Sequence, residues 1–180
     1  MPTWILVDVR YGVREGHGSP MRRTAEHDYV TSLTQIGIRN VSSTAREGYD
    51  DAISRGSTII SVRQARRLGT AGVLEQIPAR KRYYVTIDID GFDPSIAPGT
   101  GTPSHGGFLY YEVMELLQGL VKRGEIVGID LVEVSPPYDP SGITGFLAAQ
   151  ILLNFLGYIF EERHQRKTMG RTLAVAREGS

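Results

Sequence analysis

The sequence predicts an α/β protein with three layers, α/β/α, around a mostly parallel sheet. Segments with strand composition alternate with segments of helical periodicity along the 180 residues, and this alternation is typical of βαβ units. The run 126–132 is almost continuously apolar, as expected of a parallel strand covered on both faces. A chain of this length is long enough for one domain with one hydrophobic core.

The first predicted element is a strand at residues 4–7, followed by a glycine-rich loop at 11–19. Ser19 and Pro20 are suited to the N-cap and first turn of a helix over 20–29. The later elements are predicted from apolar β-prone runs and from helical spacing. They are strands at 33–38, 57–60, 83–89 and 126–132, and helices at 47–55, 62–77 with a break at Gly69, 110–123 and 144–166.

The helix at 110–123 has the clearest periodicity. Its apolar residues recur with the i, i+3, i+4, i+7, i+8 spacing of one buried face, and they are Val113, Leu116, Leu117, Leu120 and Val121. The long helix at 144–166 is apolar nearly all round at its start and charged at its end. Residues 168–180 are predicted to form a loosely ordered tail beyond a domain at 1–167.

Composition narrows the class of protein. Lys plus Arg and Asp plus Glu both number 20, so no net charge attracts nucleic acid or an anionic membrane. Cysteine is absent, which excludes disulfides and thiolate zinc sites and fits a reducing compartment. The N-terminus lacks signal-peptide features, and the apolar region 146–160 is shorter than the ~20 residues of a membrane span. We expect a soluble, cytoplasmic protein that binds neither nucleic acid nor a membrane.

The strand at 83–89 delivers two carboxylates, Asp88 and Asp90, to a loop rich in Gly, Pro and Thr. Strand side chains at i and i+2 project to one side, so the two carboxylates are predicted to point toward one place. Closely held carboxylates repel unless a cation or proton lies between them. Oxygen ligands favour a hard ion such as manganese or magnesium, so the pair predicts a metal-dependent hydrolytic site.

Other polar residues have both a structural and a functional interpretation. Glu133 follows the strand at 126–132, where it is either an exposed residue or a partner for a cationic substrate. His17 lies between two glycines and is either structural or a group for proton transfer. Asp130, inside the apolar run, is expected to be a hydrogen-bonded core residue and not a catalyst, because buried acids need partners. The remaining candidates are weaker: His105 in the loop, His27 and His164 on the surface, and Arg63, Arg66 and Arg67 on a solvated helix face.

Residues 86–107, Thr-Ile-Asp-Ile-Asp-Gly-Phe-Asp-Pro-Ser-Ile-Ala-Pro-Gly-Thr-Gly-Thr-Pro-Ser-His-Gly-Gly, closely resemble the hallmark of the ureohydrolase family, which includes arginase and agmatinase. Gly-Ile-Asp-Leu-Val-Glu-Val-Ser-Pro at 128–136 is similar to the family's segment with the substrate-binding glutamate. Gly-His-Gly-Ser-Pro-Met-Arg-Arg at 16–23 is similar to the histidine loop of its agmatinase branch. The resemblance implies an arginase-like fold.

The resemblance also implies a reaction. In this family two manganese ions share a hydroxide that attacks a guanidinium carbon and releases urea and an amine. By position, Asp88 and Asp90 would be metal ligands, Glu133 would hold the guanidinium group, and His17 would assist proton transfer. The contexts Gly-His-Gly-Ser-Pro and Pro-Pro-Tyr-Asp (136–139) favour agmatine or a related guanidino-amine. The family also implies a homo-oligomer.

One departure from the family pattern concerns the metal. The family's Gly-Gly-Asp-His and Asp-Ala-His-x-Asp segments, which carry the other ligands, do not occur in this sequence. Two carboxylates cannot organise a tight binuclear centre without further donors. The resemblance therefore implies a C-terminal portion of a ureohydrolase domain, shortened at its N-terminus, with impaired activity and exposed apolar faces.

Two alternatives remain. The chain could be a non-catalytic remnant or assembly subunit that keeps the scaffold without the metal centre. It could also be a phosphatase, since Asp-Ile-Asp-Gly at 88–91 resembles the start of the haloacid-dehalogenase motif, although Phe92 stands where Thr is usual there. The Gly-Thr-Gly-Thr run at 99–102 is a poor phosphate loop because no Lys follows it.

Overall fold

The structure is a computed structural model that describes residues 7–9, 11–39 and 46–178, with side chains described as far as residue 169. These residues form five α-helices and four β-strands. In chain order the elements are α1 (Pro20–Ala25), β1 (Thr34–Ile38), α2 (Arg46–Ser54), β2 (Thr58–Ser61), α3 (Val62–Gln76), β3 (Arg82–Asp88), a 3-10 turn (Ile89–Gly91), α4 (Tyr110–Val121), β4 (Glu125–Val132), a second 3-10 turn (Pro136–Tyr138) and α5 (Ile143–Glu178).

The strands pair in parallel, as the sequence predicts. In the described part of the chain they form two pairs, β1 with β2 and β3 with β4. Helix α2 connects the first pair, and α4 connects the second. In the second pair Asp88 lies opposite Val132, so the carboxyl ends of β3 and β4 lie side by side. Ligands collect at such ends in parallel sheets.

The strands β1 and β2 are covered on both faces. Ile60 packs with Val62 and Val73 of α3 on one face, whereas its neighbour Ile59 packs with Ile38 and Ala52 on the other. Successive strand residues point to opposite faces, so helices lie above and below this pair. The arrangement confirms the predicted α/β/α layers.

The pair β3–β4 is covered on one face by the described residues. Ile87 and Ile126 lie in the main core with α4 and α5. On the other face, Tyr84 is 65% exposed and Val132 is 43% exposed. The expectation that the strand at 126–132 is covered on both faces therefore does not hold within this part of the chain.

Helix α5 packs one side on the sheet and exposes the other. Ile151 and Phe155 are completely buried in the core, whereas Phe146, Leu153 and Phe160 are 77%, 70% and 63% exposed. Residues Ile143–Met169 have the length and apolar composition to cross a membrane, so the prediction that the apolar region is too short for a span is wrong; core helices of soluble proteins share this property. The burial of its other side shows that the helix belongs to the domain core.

Several predicted boundaries differ from those observed. The break in α3 is confirmed, because Gly69 has φ 67° and ψ 172° within the helix. The helix predicted at 20–29 ends earlier, since the chain turns after Ala25. The helix predicted at 144–166 continues to Glu178, and the loose order of 168–180 stays a prediction. The strand predicted at 4–7 lies outside the described residues except for Val7.

Candidate active site at the carboxyl ends of β3 and β4

Asp88 and Asp90 are brought together by a turn. The strand β3 ends at Asp88, and Asp90 lies in the 3-10 turn Ile89–Gly91. The Asp90 N–H donates a hydrogen bond of 3.1 Å to Oδ1 of Asp88, which links the two ligand candidates directly. The prediction that strand alternation aligns both side chains is therefore wrong at Asp90, which has left the strand.

Asp90 is held inside the protein. Only 1% of the residue is exposed, and Thr102 donates a hydrogen bond of 3.0 Å from its hydroxyl to Oδ2 of Asp90. Burial of a carboxylate is costly unless polar groups or a cation compensate for the lost hydration. The Thr102 hydroxyl is one such group, supplied by the loop that follows the turn.

The loop after the turn is closed by Asp93. Its carboxylate accepts hydrogen bonds from the backbone N–H of Ser95 at 3.0 Å and of Gly106 at 2.8 Å. The Asp93 N–H donates to the carbonyl of Phe108 at 2.9 Å. Hydrogen bonds from Ser95, and then from Gly106 and Gly107, lower the pKa of the Asp93 carboxyl to about 2. Asp93 thus remains ionised and fixes the shape of this loop.

Arg39 connects β1 to the same loop. Its guanidinium donates to the carbonyl oxygens of Asp90 and Ser104, the latter at 2.9 Å from Nη2 and 3.2 Å from Nε. Burial lowers the Arg39 pKa, and the nearby Asp93 and Asp88 carboxylates oppose that shift. Sequence reasoning missed Arg39. Its position directly after the strand predicted at 33–38, at the edge where ligands collect, was the available signal.

Glu133 lies one residue beyond the end of β4, beside the end of β3. Its φ of 66° is in the left-handed region, which is uncommon for a residue with a Cβ. The pKa of the Asp88 carboxyl is raised to about 6, mainly by burial; the Glu133 charge contributes to the rise, and Arg39 opposes it. The structure thus places Asp88, Asp90 and Glu133 at the same edge of the β3–β4 pair.

His17 lies in the loop before α1. It is exposed and lines a shallow depression with Tyr11, Val13 and Ser19. Ser19 holds the fold of this loop, since its hydroxyl donates to the carbonyl of Arg14 at 2.6 Å. In the described ranges, no hydrogen bond or ion pair joins His17 to Asp88, Asp90 or Glu133. Its role in proton transfer therefore stays a prediction.

The weaker candidates are three histidines, Asp130 and Arg66. His27, His105 and His164 are exposed. Asp130 is hydrogen-bonded as expected, accepting from Tyr84 at 2.9 Å and Thr86 at 2.5 Å, but it is half-buried beside the exposed Tyr84 and does not lie in the core. Arg66 is exposed, but it also donates to the Gly107 carbonyl at 2.8 Å and to Glu112 at 2.9 Å. It therefore stabilises the end of the loop that Asp93 closes.

The carboxylates fit part of a metal centre. Asp88 and Asp90 offer the oxygen donors that suit a hard cation. Across residues 7–9, 11–39 and 46–169, however, no three His, Cys, Asp or Glu side chains are grouped so that they could hold a metal ion. Two carboxylates alone do not form a tight binuclear site, so the described residues do not fit a complete one.

Comparisons with known proteins identify the fold and family. Residues 7–157 match the Arginase family. The chain is 37% identical over 160 residues to proclavaminate amidinohydrolase from Streptomyces clavuligerus, covering 86% of this chain and 50% of that protein. It is 34% identical over 154 residues to guanidinobutyrase from Pseudomonas aeruginosa, covering 83% of this chain and 48% of that protein.

The solved structures agree with the sequence comparison. The fold superposes on the agmatine ureohydrolase of Thermoplasma volcanium with a TM-score of 0.74 and 31% identity, covering 88% of this chain and 52% of that one. The chain spans about half the length of the curated relatives it matches. The predicted arginase-like architecture is therefore confirmed over the matched part, and the chain belongs to the arginase family.

Proposed function

We propose that this chain carries the carboxylate portion of the active site of a guanidino-compound hydrolase, an enzyme that releases urea and an amine. The observation that supports this most directly is the placement of Asp88, Asp90 and Glu133 at the adjoining ends of β3 and β4. It occurs in an arginase-family chain, and several of its relatives are named for guanidino compounds.

In this proposal each carboxylate has its own role. Asp88 and Asp90 are ligands of a binuclear manganese centre whose other ligands lie outside the described residues. Glu133 pairs with the guanidinium group, because a carboxylate can accept two parallel hydrogen bonds from its N–H groups. His17 is placed by a glycine-flanked loop and moves a proton to or from the reacting group.

The substrate in this proposal is agmatine or a closely related guanidino-amine. The residues 16–20 and 136–139 support this by their similarity to the agmatinase branch. A mitochondrial agmatinase from Gallus gallus is 36% identical over 154 residues, and the agmatine ureohydrolase of Thermoplasma volcanium has the same fold. Relatives at similar identity act on guanidinobutyrate and guanidinopropionate by name, so these are the competing substrates.

A second candidate is a non-catalytic member of the family that keeps the scaffold. The observation that favours it is the incomplete ligand set among the described residues. Calorimetric titration with manganese separates the two candidates. Tight binding of two ions by this chain would contradict the non-catalytic candidate.

We also propose that the chain forms a homo-oligomer in the cytoplasm. The exposed apolar side of α5, with Phe146, Leu153 and Phe160, supports association because water-exposed apolar patches of this kind mark contact surfaces.

The catalytic proposal is tested by urea release. The chain, and a version extended by any coding sequence upstream of Met1, are incubated with manganese and agmatine, guanidinobutyrate or guanidinopropionate. Urea released fastest from agmatine supports the proposal. Release only from another guanidino compound corrects the substrate, and no urea from either version with any compound contradicts the enzyme assignment.

A further inference from the structure

The backbone of Glu133 interrupts the regular alternation of β4. Asp88 lies opposite Val132 in the parallel register, so both side chains belong to the open face of the β3–β4 pair. A regular strand would place Glu133 on the opposite face, away from Asp88. The φ of 66° at Glu133 breaks this alternation.

The residue after Glu133 confirms the break. Val132 is 43% exposed on the open face, whereas Val134, two residues later, packs against the main core. In an uninterrupted strand these two side chains would share a face. The left-handed conformation of Glu133 therefore interrupts the alternation, so that Val134 faces the core and not the open face.

The backbone that follows Glu133 is hydrogen-bonded to the loop after β3. The Ser135 N–H donates to the carbonyl of Gly99 at 2.8 Å, and Val134 forms an antiparallel bridge with Thr100. The Gly99 N–H in turn donates to the Thr144 hydroxyl at 2.8 Å. We call these three residues, Thr144, Gly99 and Ser135, the Gly99 connection.

The Gly99 connection is closely packed. Thr144 is completely buried at the start of α5. A Cβ on Gly99 would lie 2.8 Å from Cγ of Asp139 and 2.8 Å from the Thr144 hydroxyl, so the loop backbone lies against the helix with no spare room. Strained backbone conformations persist where surrounding structure over-determines them, and they cluster at functional sites.

From this geometry we infer that Thr144 is a positioning residue: through Gly99 and Ser135 it holds Glu133 in a left-handed conformation that places its side chain on the open face of the β3–β4 pair, where Asp88 lies and the guanidinium group would bind. The inference rests on the proposed function for the role of Glu133. The conformational part concerns only this chain and can be tested without activity.

The first measurement compares Gly and Ala at position 133. Both substitutions remove the charge, but only Gly relieves the strain of a Cβ at positive φ. We expect Glu133→Gly to have a folding equilibrium constant about three- to tenfold larger than Glu133→Ala in urea unfolding. The matched control is the same pair of substitutions at Val132. There the folding equilibrium constant of the Gly variant is expected to be about two- to fivefold smaller than that of the Ala variant.

The second measurement repeats the Glu133 pair in Thr144→Val and Thr144→Ser backgrounds. Without the hydroxyl, Gly99 and Ser135 can shift and Glu133 can relax, so the Gly-over-Ala ratio is expected to fall toward one. Thr144→Ser keeps the hydroxyl and is expected to keep the ratio. If Thr144→Val does not fold, Thr144→Ala replaces it.

A ratio at position 133 like that at position 132 would overturn the inference, as would a ratio unchanged by loss of the Thr144 hydroxyl. Calorimetric titration with agmatine adds the functional readout. Thr144→Val is expected to weaken agmatine binding about tenfold, and Thr144→Ser is expected to stay within twofold. Failure of the unsubstituted chain to bind agmatine would count against the proposed function, while the two stability ratios would still decide the role of Thr144.

Discussion

The Thr102 hydroxyl donates a hydrogen bond of 3.0 Å to Oδ2 of Asp90, so the loop after β3 folds back onto the carboxylate at its start. This contact links the shape of the loop to the position of a ligand candidate that is 1% exposed. A loop residue therefore takes part in orienting the carboxylate, as the residues around metal ligands commonly do.

Replacement of Thr102 by Val is expected to destabilise the chain by about 1 kcal/mol, because the Asp90 carboxylate loses a donor without a change in side-chain volume. Urea unfolding at neutral pH measures the loss. Thr102→Ser keeps the hydroxyl and is the matched control. Equal stabilities of the Val and Ser variants would show that the contact contributes nothing.

Arg39 is expected to tolerate Lys poorly. Its planar guanidinium reaches the Asp90 and Ser104 carbonyls together, and a lysine ammonium cannot reproduce that fork. We expect Arg39→Lys to lose about 1–2 kcal/mol and to increase amide hydrogen exchange in residues 90–106. Arg46→Lys, at a side chain that is 91% exposed, should change neither quantity. Unchanged exchange in Arg39→Lys would contradict the proposed role in shaping the loop.

The contrast between Asp88 and Arg39 shows what the sequence could predict. The adjacency of Asp88 and Glu133 follows from strand order, because parallel strands end at the same edge. The contacts of Arg39 are made to backbone carbonyls 51 and 65 residues away, and carbonyls carry no residue identity that a sequence could reveal. Likewise, the residue type of Glu133 does not predict a positive φ. That conformation is imposed by the Gly99 connection, whose contacts are distant in sequence.

The pH dependence of stability is expected to depend on Asp88. Its pKa in the folded chain is raised to about 6 from an unfolded value near 4. Its contribution to stability is therefore fully present below about pH 4 and is lost as pH rises through about 6. In buffer with EDTA, Asp88→Asn is expected to be more stable than the parent by about 1–3 kcal/mol at pH 8, with little difference at pH 4.

The control for this prediction is Asp50→Asn, since the Asp50 side chain is 67% exposed. Its stability relative to the parent should vary little across the same range. A parent chain whose stability does not fall between pH 4 and 7 relative to Asp88→Asn would contradict the raised pKa.

Asp93 is expected to act in the opposite direction. Its folded pKa is lowered to about 2, so its contribution is present above about pH 4 and is lost as pH falls through about 2. Asp93→Asn is expected to be about 1 kcal/mol less stable at pH 6, because an amide N–H₂ would face the Gly106 N–H that now donates to the carboxylate. Urea unfolding at pH 6 and at pH 2.5 should show this difference shrinking at the lower pH.

The exposed side of α5 is expected to drive self-association. Phe146, Leu153 and Phe160 are spaced by seven residues and are 77%, 70% and 63% exposed, so they form one apolar stripe along the helix. Burial of such side chains against another copy would release about 25 cal/mol for each Å² removed from water. Sedimentation velocity over a concentration series should therefore show oligomers of the parent chain.

Leu153→Glu is expected to weaken this association at least tenfold, because it places a charge in the middle of the stripe. Gln165→Glu adds the same charge at an exposed position of α5 that lies roughly 120° around the helix from Leu153, and it should leave association nearly unchanged. Flotation with neutral lipid vesicles distinguishes a membrane as the partner, since only that case would move the parent chain into the lipid fraction. A monomeric parent with a sharp, reversible thermal transition in dilute solution would contradict self-association through α5, since an apolar stripe of this size would then be stable in water without a partner.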